Sequence, residues 1–138
     1  MIRITALPCA AEAAPLLRIL RSTLDEAKFT ERLARAEAQG YRVLAAWDGE
    51  AMIGALGYRI SDDLCWGRTF YIDDLVVSPK LRGGGIGRDL LAEAQRLAAD
   101  GCDHIRLCSG LSRHDAHRFY KANGFEGFSL QFVARIEG

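Results

Sequence analysis

Neither sign of charge is in surplus: eighteen lysines and arginines stand against eighteen aspartates and glutamates. A chain that works on nucleic acid or on an anionic membrane ordinarily carries a basic excess. Neither partner is therefore expected, and any anion site must be local. Cysteine is sparse, and Cys9, Cys65, Cys102 and Cys108 fall at no metal-type spacing, which predicts reduced thiols and no structural metal. His104, His114 and His117 supply no third ligand to complete a metal set. No apolar run approaches membrane-spanning length, and the opening MIRITALP lacks the charged and apolar regions of a signal peptide, so a cytoplasmic location is expected. No internal repeat, low-complexity tract or Pro/Gly/Ser linker divides the 138 residues; one domain spanning 1–138 is expected. What the chain does have is apolar content, 49% of residues, enough for a substantial interior.

The hydrophobic period changes along the chain. Ile2-Arg3-Ile4 alternates as a short strand. Leu16, Leu17 and Leu20 fall at helical spacing within Ala10 to Leu20, with Pro15 tolerable in the first turns. A second helix is predicted from about Glu31 to Gln39, capped by Thr30 and stopped by Gly40. Tyr41 to Trp47 and Met52 to Ile60 read as strands joined at Asp48-Gly49, a hairpin signal. Thr69 to Val77 is a third strand, interrupted by Asp73-Asp74. Ile86 to Ala99 is strongly amphipathic, with Leu90, Leu91, Ala94 and Leu97 on one face. His104 to Cys108 returns to strand, Asp115 to Ala122 to helix, and Asn123-Gly124 ends that helix. Phe125 to Ile136 alternates loosely as one or two closing strands. This order predicts an α/β (α+β) fold: a mixed, mostly antiparallel sheet of six or seven strands flanked by about four helices.

Two features carry chemistry. Leu81-Arg82-Gly83-Gly84-Gly85-Ile86-Gly87-Arg88 sits between a strand and a helix, with four glycines in five positions. A simple turn needs one or two. Without Cβ atoms, successive N–H groups can converge on an anion at the positive end of the following helix, and Arg82 and Arg88 add local charge. A triphosphate loop is excluded because no Lys-Ser/Thr pair follows, and the G-x-G-x-x-G dinucleotide spacing is absent. The second feature is Asp73-Asp74, set in an apolar strand just before the loop. Unpaired buried carboxylates are costly. One of them either caps a bulge or meets a surface arginine, or a carboxylate there attracts a cationic amine and accepts its proton. Neighbouring strand residues face opposite ways, so at most one is expected in a given cleft.

The stretch from Tyr71-Ile72-Asp73-Asp74-Leu75-Val76-Val77 through Ser78-Pro79-Lys80-Leu81-Arg82 to Gly87, together with Phe119-Tyr120-Lys121-Ala122-Asn123-Gly124-Phe125, resembles the GNAT superfamily of acyl-CoA-dependent N-acetyltransferases. The order of elements fits that family across nearly the whole chain. The resemblance implies acetyl-CoA as cosubstrate. Its pyrophosphate would lie on Arg82, Gly83, Gly84, Gly85, Ile86 and Gly87, with Arg88 at the helix start. Its pantetheine arm would pair with the backbone of Leu75, Val76 and Val77, where this strand and the His104 strand splay apart. Asp73, where relatives often carry glutamate, is favoured over Asp74 as the base, working through water because its side chain is shorter. The task is real: an amine with pKa near 10.4 requires about 4 to 5 kcal/mol to deprotonate at pH 7. Tyr120 would protonate the leaving thiolate; read alone, a tyrosine on an amphipathic helix is more often core.

Arg113 to Tyr120 is similar to the same region of bacterial aminoalkylphosphonate N-acetyltransferases and other small-amine members, although Arg113 stands where many members carry asparagine. The expected acceptor is a small-molecule primary amine attacked directly in a ternary complex. The alternatives are a non-catalytic acyl-CoA sensor and an enzyme acting on a protein amine. Ser22–Phe29, Ser61–Trp66 and the region around Phe128 to Phe132 are expected to shape the acceptor site. Asp25, Glu26, Asp62 and Asp63 there suit a cation, and Lys28 and Arg68 an acidic group. Family members often form homodimers, and the C-terminal strand offers an edge for pairing.

Overall fold

A computed structural model describes residues 2–81 and 84–136. The chain falls into two compact units, Met1–Leu107 and Cys108–Gly138.

The first unit is a five-stranded sheet in the order β1-β2-β3-β4-β5. β1 is Ile2–Ala6, β2 Arg42–Asp48, β3 Ala51–Asp63, β4 Gly67–Val77 and β5 His104–Leu107. The first four pair antiparallel and β5 joins β4 in parallel, which requires the crossover supplied by helix α3, Ile86–Ala98. Gly49 takes φ +61° at the β2–β3 turn, so the Asp48-Gly49 hairpin forms as its residues predict. Ahead of β2 lie a 3-10 turn, Ala10–Ala13, helix α1, Ala14–Leu20, with Pro15 in its first turn, and helix α2, Glu26–Ala38.

The start of α2 corrects the sequence expectation. Asp25, not Thr30, is the cap: its carboxylate accepts from the Lys28 amide at 2.8 Å. An N-cap aspartate facing an orphan first-turn donor outranks a threonine five residues into the helix.

Opposed pairs in an antiparallel ladder share a face, so the register defines two cores. Val43, Ala45, Ala55 and Val76 lie on one face and pack with Leu16, Leu17 and Phe29 of α1 and α2. The other face receives α3. A Cβ on Gly54 would come within 3.0 Å of Ile86 and 3.1 Å of Leu90, so the missing side chain is what lets that helix approach.

The second unit holds helix α4, His114–Ala122, closed at Gly124 with φ +92°. No strand forms between Phe125 and Ile136, so the sheet has five strands and not six or seven. A strand exists only with a ladder partner, and alternation along one segment does not provide one. Phe128, Leu130, Phe132, Val133 and Ile136 are exposed. Among the described residues, no helix is long and apolar enough to cross a membrane.

Candidate functional site

The β3–β4 ladder slips by one residue at the carboxylates. Gly57 faces Asp74 and Tyr58 faces Ile72, leaving Asp73 as an extra residue on β4. Such a bulge breaks the strict alternation of a strand. As a result both Asp73 and Asp74 line one cavity of about 410 Å³, against the expectation that only one would. That volume suits a small-molecule ligand.

Each carboxylate has its own guanidinium. Arg59 donates from Nε and Nη2 to the two oxygens of Asp73, at 3.1 and 2.8 Å. Arg21, just past the end of α1, donates from Nε and Nη2 to Asp74 Oδ1 at 2.9 and 2.7 Å, and from Nη2 to the Asp73 carbonyl at 3.1 Å. The Tyr41 hydroxyl donates to Asp74 Oδ2 at 2.7 Å. Burial, followed by the charge of Asp74, pushes the Tyr41 phenol far above its ordinary range, so it remains a donor. A carboxylate offers about four lone-pair positions. Asp74 has three donors on it and Asp73 two, so Asp73 has more acceptor capacity left for an incoming group. The structural reading holds, since each aspartate meets an arginine, and both carboxylates also face the cavity.

Apart from Thr23, the remaining walls are apolar or cationic. Phe29, Arg32, Leu33 and Ala36 of α2 face the cavity with Leu17 and Leu24. Thr23, Leu24 and Phe29 belong to the Ser22–Phe29 connection expected to shape the acceptor site. The charges expected to tune it are mostly engaged elsewhere. Asp25 caps α2. Asp62 is held by Arg68 at 2.9 Å. Asp63 accepts from the Trp66 amide and from Arg106. Arg21, Arg32, Tyr41 and Arg59 were not legible as site residues, because the bulge that gathers three of them leaves no periodic signal.

Farther along β4, pairing with β5 ends at Ile72–Leu107. Among the described residues no strand pairs with 73–77 on that side, so alternate backbone groups of Leu75, Val76 and Val77 face an open edge. The glycine loop follows. Gly85 caps α3 with φ +82° and contributes no side-chain hydrogen bond. The amides of Gly85, Ile86, Gly87 and Arg88 therefore begin the helix without intrahelical partners. The Arg88 guanidinium folds over this turn, with Nη2 3.0 Å from where a Gly85 Cβ would stand. Uncapped amides, the helix dipole and a guanidinium together fit a diphosphate. Arg82 and Gly83 lie outside the described residues.

In the second unit, Tyr120 is half-buried between Phe119 and Phe125, with ring centroids 5.4 and 5.8 Å away. Burial raises its pKa, and the Arg113 charge opposes the rise; the phenol stays protonated at neutral pH. His117 Nε2 lies 2.7 Å from the Gly110 carbonyl oxygen, a local contact inside the turn before α4.

A family model described as "Acetyltransferase (GNAT) family" matches residues 11–125. The chain is 34% identical over 112 residues to an uncharacterized N-acetyltransferase, YhdJ, of Bacillus subtilis, covering 80% of this chain and 79% of that one. It is 40% identical over 66 residues to the aminoalkylphosphonate N-acetyltransferase of Salmonella typhimurium, covering 47% and 43%. Among solved structures, that of AAC(6')-Iy in complex with a CoA-containing bisubstrate analog aligns with TM-score 0.84 at 17% identity, covering 100% of this chain and 99% of that one. This last likeness concerns the fold.

Proposed function

Because the chain belongs to the GNAT family of acetyltransferases, enzymes that draw on acetyl-CoA, we propose that it acetylates the primary amine of a small molecule by direct attack in a ternary complex. The observation that carries this reading is the arrangement of β4: carboxylates in a cavity of about 410 Å³, then an open backbone edge, then an uncapped helix start. The name of the Salmonella relative, which specifies a small amine, supports it.

Each residue then has a task. The amides of Gly84 to Arg88, with Arg82 and Gly83, hold the pyrophosphate. The edge at Leu75, Val76 and Val77 pairs with the pantetheine arm and polarises the thioester carbonyl. Asp73 takes the ammonium proton through a bridging water. The free amine attacks the carbonyl carbon, a C–N bond forms, the C–S bond breaks, and Tyr120 protonates the departing thiolate and is reprotonated by the proton that the new amide nitrogen loses. A donor within reach lowers the barrier because it removes charge developing on sulfur.

We place the enzyme in the cytoplasm and read the exposed apolar residues of 128–136 as a surface for pairing with a second copy; sedimentation at the monomer mass across micromolar concentrations would remove that pairing. The decisive assay for transfer follows free-thiol release from acetyl-CoA with a panel of small amines, and identifies the acetylated product by mass. Thiol release only by hydrolysis, or only with peptide amines, would overturn the small-molecule reading.

A further inference from the structure

We propose that the acceptor carries an anionic group, a carboxylate or a phosphate-type oxyanion, and that Arg32 is the residue that receives it. The inference rests on the reading that the cavity holds the acceptor amine.

Helix α2 turns Phe29, Arg32, Leu33 and Ala36 toward the cavity, the i, i+3, i+4, i+7 stripe of one helical face. Three are apolar and one is a guanidinium. Arg35, on the same helix, pairs with Glu31 at 3.4 Å. Arg32 differs: among the described residues it has no hydrogen bond or ion pair. The carboxylates of the cavity do not call for it, since Arg59 answers Asp73 and Arg21 answers Asp74. Three guanidiniums against two carboxylates leave the cavity one positive charge in excess.

That balance is wrong for an acceptor that is only a cation, because like charges in a cleft repel. It suits a zwitterion whose ammonium approaches Asp73 and whose oxyanion meets Arg32. The guanidinium fork matches two oxygens of a carboxylate or a phosphonate in parallel. Arg32 is exposed, at a place where an arriving anion can reach it. The charge pattern thus assigns Arg32 to acceptor choice and leaves the chemistry to other groups.

The test compares kcat/KM for β-alanine, 2-aminoethylphosphonate and propylamine in the parent, Arg32→Gln and Arg32→Lys enzymes. The parent should prefer the two anionic amines over propylamine by at least about tenfold. Arg32→Gln should reduce that preference by about 10- to 100-fold, the range for hydrogen bonds to a charged group, chiefly through KM. Arg32→Lys should restore part of it. The two anionic arms decide between planar and tetrahedral oxyanions. A preference that survives Arg32→Gln unchanged overturns the assignment. Propylamine turned over as well as β-alanine sinks this inference and leaves acetyl transfer standing. If no amine releases thiol, the transfer reading falls; calorimetric titration of 2-aminoethylphosphonate into parent and Arg32→Gln then decides this one, and equal heats refute it.

Discussion

Gly57→Ala is the sharpest probe of the carboxylate site. An alanine in a strand ordinarily gains about 0.5–1 kcal/mol over glycine from reduced unfolded-state entropy. Gly57 has no positive φ to oppose that gain. Contact decides the sign instead: the new Cβ would lie 1.8 Å from the Tyr41 hydroxyl, 2.3 Å from its Cζ and 2.6 Å from its Cε1. Tyr41 is only 3% exposed, so its ring has little room to retreat. Displacing it breaks the hydroxyl bond to Asp74, worth about 1.5–3 kcal/mol for a charged acceptor, and forces overpacking of about 1–3 kcal/mol. The net loss is about 2–5 kcal/mol, a fall of about 6–20 °C in Tm for a chain of this length. Thermal unfolding followed by circular dichroism measures it. Tyr41→Phe, which removes the same bond without a clash, should lose less. A Gly57→Ala protein within about 1 kcal/mol of its parent would refute the packing argument, because the phenol would then not be held against this glycine.

Other expectations concern the chemistry. Tyr120→Phe should lower kcat by about 10²-fold or more, the usual size of general-acid assistance, with acetyl-CoA affinity by calorimetry within about twofold; an unchanged rate would remove Tyr120 as the acid. Because burial raises the Tyr120 pKa, its acid form persists past the ordinary phenol value of about 10. The alkaline fall of kcat should therefore begin above that pH, and should vanish in the phenylalanine variant. Gly85→Glu puts a side chain and a negative charge at a φ of +82° beside Arg88; calorimetry should find acetyl-CoA binding abolished in a protein with native circular dichroism, and retained affinity would assign the loop another task. Asp74→Asn should cost about 1–3 kcal/mol of stability through Arg21 and Tyr41, whereas Asp73→Asn should chiefly lower kcat. The reverse pattern would exchange the two residues' roles.

The elements with strong periodicity were legible in the sequence. The α3 stripe of Leu90, Leu91 and Ala94, the Asp48-Gly49 hairpin and the glycine start of α3 at Gly85 all stand where their residue types predict. What escaped depends on partners. Starting α2 at Glu31 and not at Glu26 left Phe29 in a connection and hid the i, i+3, i+4, i+7 stripe that it forms with Arg32, Leu33 and Ala36. The 125–136 segment alternates as a strand does, yet a ladder is a property of two segments. The carboxylate pair was visible as residues. The arginines and the tyrosine that hold it come from the end of α1, the residue before β2 and β3 itself, brought together by a one-residue slip that no pattern in β4 announces.

That slip has a consequence for how the strand can change. Counted in twos, Phe70, Ile72 and Val76 would share a side; the supernumerary residue sends Val76 to the helix pair and leaves the first two on the α3 side. Excising Asp73 altogether would close β4 into a regular ladder with every neighbour still paired as before. The proposed proton acceptor thus sits at a position the β3–β4 ladder does not need, so its identity can vary, or be lost, without unsettling either layer of the interior.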